Sequence, residues 1–245
     1  MKMNIIADTH CHTIASGHAY STIEELIRVA VQKNLYAIAI TDHGRLMPGS
    51  PAKWYFKNLH AIPHKVNNVL ILRGIEANVY DYDGKLDIDP EEINELDWVI
   101  ASMHKHILPP PKSQDQCTEA WLKIAKNPKV NVIAHSGSQL YKYDYEKVIP
   151  EFGANGKLVE INNATFNIRR DFIKNCKTIA QVCMKHYVPI VVNSDAHSSF
   201  QVGEHSNALA MLKEINFPDE LIINANVNRF KNYLKKYNLI GDEII

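Results

Sequence analysis

The sequence predicts an α/β fold, specifically a distorted (β/α)7 TIM-like barrel of parallel strands. Three observations support this. Seven short apolar runs alternate with amphipathic stretches along the whole chain. The runs are rich in Val and Ile and lack polar alternation, as expected for parallel strands covered on both faces. Histidines and acids gather just after these runs, where the C-terminal ends of the strands would lie. In a barrel those ends converge on one mouth. In an open doubly wound sheet, the alternative, residues at opposite edges would be too far apart to form one cluster.

The expected strands are Asn4 to Ala7, Ala37 to Ile40, Val69 to Leu72, Trp98 to Ala101, Asn131 to Ala134, Leu158 to Ile161 and Pro189 to Val192. Between the first two, Ser21-Thr22-Ile23-Glu24 reads as a capping box in which Ser21 and Glu24 satisfy free amide hydrogens. Behind it Ile23, Leu26, Ile27, Ala30 and Val31 form an apolar stripe at helical spacing. Tyr80 to Asp87, centred on Asp83-Gly84, reads as a small hairpin. Asp89-Pro90-Glu91-Glu92 offers an N-cap, a first-turn proline and acids that suit the helix dipole. Pro109-Pro110-Pro111 reads as a surface loop near the mouth. Further helices are expected from about Thr118 to Lys126, Tyr145 to Glu151, Asp171 to His186 and Glu204 to Ile215. Asn224 to Tyr237 would add a C-terminal helix on the outside. No linker or low-complexity tract interrupts the pattern, so residues 1–245 read as one domain.

Bulk composition narrows the function. The chain has 245 residues, 46% of them hydrophobic, enough for a large core. Lys plus Arg and Asp plus Glu each number 27, so no broad basic surface exists to collect nucleic acid. Cys11, Cys117, Cys176 and Cys183 match no zinc-finger spacing and would stay thiols in a reduced cytosol. The apolar start, Met1 to Ala7, is too short for a signal peptide and is interrupted by Asp8. No run approaches the roughly 20 apolar residues of a membrane helix. A cytoplasmic protein without a membrane partner is expected. Self-association is left open by the absence of a heptad pattern.

The chemistry begins at Asp8-Thr9-His10-Cys11-His12-Thr13. Side chains alternate along a strand, so His10 and His12 share one face and Cys11 takes the other. Alone this pair is a weak signal, but Asp42-His43, Glu76, His104, His135 and Asp195-Ala196-His197 end later apolar runs. With His18 these give nine candidate metal ligands: His10, His12, His18, His43, Glu76, His104, His135, Asp195 and His197. Imidazole and carboxylate suit zinc, iron or manganese. Nine residues exceed the needs of one ion and suit two or three, with Glu76 able to bridge two cations.

The strings Asp8-Thr9-His10-Cys11-His12-Thr13, Thr41-Asp42-His43-Gly44, Gly74-Ile75-Glu76, His135 and Ser194-Asp195-Ala196-His197 resemble the PHP (polymerase and histidinol phosphatase) superfamily. They occur in the family's order and cover almost the whole chain. Ala19-Tyr20-Ser21-Thr22, Leu72 to Asn78 and Glu160-Ile161-Asn162-Asn163 extend the resemblance to its stand-alone bacterial branch, the YcdX-like phosphatases. The resemblance implies a distorted seven-stranded barrel with a trinuclear zinc site. It allots His10, His12, Glu76 and Asp195 to a first ion. Glu76, His104 and His135 take a second, and His18, His43 and His197 a third. Ser136 departs from the proline frequent after the fifth-strand histidine, which alters the loop rather than the ligand.

Other polar residues receive plainer readings. His186 suits a helix end, and His205 an ordinary structural role. His60 and His64 read as ordinary surface or core histidines, with substrate contact at the mouth as the alternative. His106 shares a strand face with His104 and competes for its place. Asp8 and Asp42 read as carboxylates that orient histidines. Cys11 should pack toward the helices, and Trp54-Tyr55-Phe56 reads as packing. Arg170 or Arg169 could grip phosphate through its planar fork. Clustered cations lower the pKa of a bound water and neutralise phosphoryl oxygens. A metal-dependent phosphatase acting on small phosphomonoesters through a metal-activated hydroxide is therefore expected. Its alternatives are a histidinol-phosphate phosphatase, a nuclease-type phosphodiesterase of the same superfamily and a non-catalytic metal-binding module.

Overall fold

The computed structural model describes residues 4–241 and 243–245. Met1, Lys2 and Met3, on which the signal-peptide reading partly rests, lie outside the described residues. The chain runs through β1 (Ala7–Cys11), α1 (Ile23–Gln32), β2 (Ala37–Ile40), α2 (Lys53–Asn58), β3 (Lys65–Val66) and β4 (Val69–Asn78). It continues through α3 (Pro90–Ile93), β5 (Trp98–Ser102), α4 (Gln114–Ala125), β6 (Val132–Ile133), α5 (Tyr145–Ala154) and β7 (Leu158–Asn162). The last elements are α6 (Thr165–Ile168), α7 (Ile173–Lys185), β8 (Ile190–Asn193), α8 (Ser206–Glu214) and α9 (Val227–Lys236).

Seven strands pair in parallel in the order β1-β2-β4-β5-β6-β7-β8, with only short β3 antiparallel, on β4. Because spatial order follows sequence order, the sheet winds round into a barrel rather than reversing as a doubly wound sheet does. The junction of β1 and β8 closes without a regular ladder. Thr9 donates its amide and hydroxyl to Asn193 Oδ1 at 2.9 and 2.8 Å. Asn224 Nδ2 donates to the carbonyls of Ala7 and Val192, and its Oδ1 accepts from Val192 N at 3.0 Å. Two buried asparagines thus stand in for the missing strand hydrogen bonds. Replacing Asn224 with Ala strands several buried backbone groups, at about 1–3 kcal/mol each. Urea unfolding of Asn224→Ala should show a stability loss on the order of 3 kcal/mol; a midpoint equal to that of the wild type would refute this closure.

Expected and observed elements differ where side chains outvote hydropathy. β1 starts at Ala7 and runs on through polar residues, because Asp8 and Thr9 find buried partners across the junction. β4 runs six residues past Leu72. Its first half pairs with β2 and its second, from Gly74, with β5. A Cβ at Gly74 would sit 2.5 Å from the Trp98 carbonyl oxygen, so only glycine permits this crossing. The capping box of α1 uses Thr22 and Glu25, one residue later than expected. Ser21 Oγ is engaged elsewhere, accepting from Ser199 N at 2.9 Å. Around Gly84, at φ +79°, the hairpin forms through a Val79–Leu86 bridge. The Pro109-Pro110-Pro111 segment lies in neither helix nor strand.

Strand residues alternate between two apolar surroundings. Ile38, Ile40 and Ile71 face outward onto Leu26, Ile27 and Ala30 of α1, with Cys11 packed among them as expected. Ala37, Ala39, Leu70, Leu72, Trp98 and Ile100 face inward. Phe230, Tyr233 and Leu234 of α9 join this inner cluster. The C-terminal helix therefore does not lie on the outside, as expected, but plugs the N-terminal end of the barrel. With that end sealed by apolar side chains, polar side chains fill the opposite end.

Candidate metal centre

All nine predicted residues sit at that C-terminal end, and the structure brings them together. The strand pleat turns His10 and His12 inward, with their Nε2 atoms 3.1 Å apart. Glu76 Oε2 lies 3.4 Å from each. Asp195 Oδ1 lies 3.5 Å from His10 Nε2 and 3.3 Å from His12 Nε2. A tetrahedral zinc with donors at about 2.0–2.2 Å spaces those donors about 3.3–3.6 Å apart. Five measured edges of this group fall at or near that spacing. The other Glu76 oxygen, Oε1, is 2.8 Å from His135 Nε2 and 3.5 Å from His104 Nε2. His18 and His197 meet Nε2 to Nε2 at 3.0 Å, and His18 stacks on His43 with ring centres 5.0 Å apart.

His43 stands between groups. Its Nδ1 faces Glu76 Oε2 at 2.7 Å, so it can join a group with Glu76 and His104, or one with His12 and His197. Both atoms are buried, yet neither makes a well-aligned hydrogen bond among the described residues. Buried polar atoms rarely stay unpaired. Donors aimed past one another toward shared points are what a cation site requires.

Charge supports the same fit. Burial works against the Glu76 charge, but His43, His10 and His104 hold its carboxyl well below the usual range. Burial likewise opposes Asp195, and His10 and Arg169 overcome it, lowering the carboxyl strongly. Glu160 is also held low, by His10 against burial. Three ionised carboxylates share a closed space in which Arg169 is the one permanent cation among the described residues, so the cluster favours added positive charge. Burial, reinforced by His43 and His197, drives His12 well below its ordinary pKa. Burial does the same for His104. Both are thereby neutral, as metal ligands must be. His10 is pushed the other way: burial disfavours its charge, but Glu160, Asp195 and Glu76 outweigh burial.

The supporting residues were largely invisible in the sequence. Glu160 Oε1 lies 2.7 Å from His10 Nδ1, and its Oε2 accepts the His135 amide at 3.0 Å. An acid inside the apolar run Leu158 to Ile161 was the available signal. Asn78 Oδ1 is 2.7 Å from His104 Nδ1, which favours His104 over His106 as the inward residue. Asp42 acts through Ser16, whose hydroxyl donates to Asp42 at 2.6 Å and lies 3.1 Å from His12 Nδ1. Asp8 does not orient a histidine of the cluster. It accepts from Ser194 N, Ser194 Oγ and Gly203 N, and so holds the loop that carries Asp195. That loop is bent: Asp195 has φ +56°, and His135 has φ +28°. Non-glycine residues hold such angles only where their surroundings enforce them. Ser136 bonds the buried Tyr143 hydroxyl at 2.9 Å, anchoring the loop that a proline would stiffen.

Arg169 lines the cavity over the cluster and donates from Nη1 to Asp195 Oδ2 at 2.8 Å, whereas Arg170 is exposed and outside that lining. His60 and His64 are not at the mouth. His60 lines a separate groove beside α2, and His64 Nδ1 contacts the Ile71 carbonyl. His186 pairs with Glu146, and His205 is buried 3.8 Å from Asp8. Tyr55 donates to Asp42 at 2.5 Å, Phe56 is buried and Trp54 is exposed. Outer partners that fix a metal-binding imidazole typically contribute about 10–100-fold in metal affinity. Glu160→Gln should therefore weaken zinc binding about 10-fold or more in competition titrations with a chromophoric chelator. An unchanged affinity would show that His10 needs no such partner.

Comparison with known proteins agrees with this architecture. The PHP domain family model matches residues 8–164. A probable phosphatase of Acetivibrio thermocellus is 44% identical over 234 residues, covering 96% of this chain and 97% of that protein. A probable phosphatase of Caldanaerobacter subterraneus subsp. tengcongensis is 44% identical over 237 residues, covering 96% and 93%. The solved histidinol phosphate phosphatase of Lactococcus lactis, complexed with zinc, L-histidinol and phosphate, shares the fold. Its TM-score is 0.56 at 15% identity, covering 86% of this chain and 94% of that one. Family match, full-length relatives, barrel and cluster agree: the chain belongs to the PHP domain family.

Proposed function

We propose that this PHP-domain chain is a metal-dependent phosphatase that hydrolyses small phosphomonoesters. The observation that carries the reading is Glu76, whose two buried oxygens each face imidazole nitrogens on a different side of the cluster. In this reading His10, His12, Glu76 and Asp195 hold one cation, and Glu76, His104 and His135 a second. His18, His197 and His43 hold a third, with His43 turned between the last two groups. Zinc is the preferred ion, with manganese or iron as substitutes. Cations held there supply a water of lowered pKa and neutralise phosphoryl oxygens.

The chain's own residues do the rest. Glu160 fixes the His10 ring, Asn78 that of His104, and Ser16 that of His12. Arg169, poised on Asp195 at the cavity wall, can turn a guanidinium edge to a phosphoryl oxygen. The cavity holds about 780 Å³, which suits a small-molecule ester rather than a polymer groove. We read residues 1–245 as one catalytic unit. No helix among the described residues is long and apolar enough to cross a membrane. The cytoplasm is the compartment that suits its four free, buried cysteines.

The test is chelation followed by reconstitution. Dialysis against a strong chelator should abolish hydrolysis of p-nitrophenyl phosphate and lower the melting temperature. Zinc or manganese should restore both. Metal-loaded, folded protein that cleaves no member of a broad phosphomonoester panel would overturn the reading.

A further inference from the structure

The phosphatase reading leaves the leaving group unspecified, and the cavity wall beside the cluster bears on it. This inference rests on that reading. The floor of the 780 Å³ cavity is the cluster with Arg169. Beside it, one wall is built from the start of α6, the loop after β8 and the first residues of α8. It presents four side-chain amides, Asn163, Asn167, Gln201 and Asn207, together with the Ser206 hydroxyl.

These amides are only partly engaged with the protein. Asn163 Oδ1 accepts the amides of Asn207 and Ala208, which fixes the α8 start. Gln201 Oε1 accepts His197 N at 2.8 Å. Asn207 reaches Asn167 only at 3.3 Å. Each therefore keeps a donor or acceptor for a bound molecule. Among the described residues of this wall the one carboxylate, Glu204, is bound to Lys33 at 2.6 Å. Arg169 is already paired with Asp195. Among the described lining residues, histidines are the only aromatic rings, so no Phe, Tyr or Trp face is offered for a base to stack on.

We infer that the substrate is the phosphomonoester of a small neutral polyhydroxy compound, of the sugar phosphate class. Side-chain amides and hydroxyls match vicinal hydroxyls, each able to donate and accept. An ammonium-bearing leaving group finds no unpaired carboxylate, and a nucleobase finds no stacking face. A site built of hydrogen-bonding groups discriminates strongly against analogues that leave them unpaired.

The experiment compares kcat/KM of the zinc-loaded, full-length protein for four esters: a hexose 6-phosphate, the matched 2-amino-hexose 6-phosphate, a nucleoside 5′-monophosphate and histidinol phosphate. The neutral hexose phosphate should lead each of the others by at least threefold. Asn167→Leu and Asn207→Leu, both at exposed positions, should raise its KM about tenfold while kcat moves less than threefold. Lys33→Met frees the Glu204 carboxylate and should narrow the gap between the hexose and amino-hexose esters. Preference for histidinol phosphate or the nucleotide, or unmoved KM values in both leucine variants, would overturn the inference while leaving the phosphatase reading intact. Failure to cleave p-nitrophenyl phosphate or any of the four esters would remove both.

Discussion

Glu76→Ala should abolish phosphatase activity, lowering kcat by at least about 1,000-fold, and should strip more than one metal ion from each chain. Among the described residues, Glu76 alone has two carboxylate oxygens that face two separate sets of imidazoles: His10, His12 and His43 on one side, His104 and His135 on the other. Removing it deletes a donor from two positions at once and leaves five ring nitrogens without their shared anion. The lost electrostatic stabilisation falls where charge develops on a transferring phosphoryl group, usually the largest single catalytic contribution. Elemental analysis of the purified variant beside the wild type measures the first effect, and single-turnover kinetics the second. Glu76→Gln is the companion, since it keeps the shape and removes the charge. If either variant kept full metal content and near-normal turnover, Glu76 would not be the bridge.

Arg169→Met should cost about 100-fold in kcat, with metal content retained, whereas Arg170→Met should change turnover less than twofold. Arg169 alone of the two reaches the cluster. It is held largely out of solvent against Asp195, and burial is overcome by Asp195, which keeps the guanidinium charged. A fixed cation aimed at developing charge in a closed site typically contributes about 100–1,000-fold. Arg169→Lys should recover only part of the loss, because an ammonium lacks the planar two-pronged donor edge. Steady-state kinetics with metal analysis separates this effect from a simple failure to load. Equal losses in the two methionine variants would point to the surface charge of the segment rather than to Arg169.

The barrel was legible because its strands are buried on both faces and so read as unbroken apolar runs, as Ala37 to Ile40 and Leu158 to Ile161 do. It was least legible where a polar residue carries the strand onward. Asp8 and Thr9 belong to β1 only because Ser194, Gly203 and Asn193, nearly two hundred residues away, satisfy them. Hydropathy has no access to such partners. The C-terminal helix covers the barrel's end rather than its outside for a related reason. Its apolar stripe predicts burial, but only the third dimension shows that the sealed end is what it covers.

The cluster was legible for the opposite reason. Its histidines and acids stand at strand ends, where one periodicity stops and the chemistry is displayed. The carboxylate inside a strand, Glu160, escaped because a buried acid gives no hint in sequence of which ring it will hold. The choice between Arg169 and Arg170 depended on a one-residue rotation at the end of α6, beyond what adjacent identical residues reveal.

The most direct measurement is anomalous diffraction at the zinc edge from zinc-soaked crystals. A strong peak is expected bonded to His10 Nε2, His12 Nε2, Glu76 and Asp195 at about 2.0–2.2 Å, with further peaks on the His104–His135 and His18–His197 sides. Anomalous peaks confined to the protein surface, with that pocket empty in fully active crystals, would contradict it.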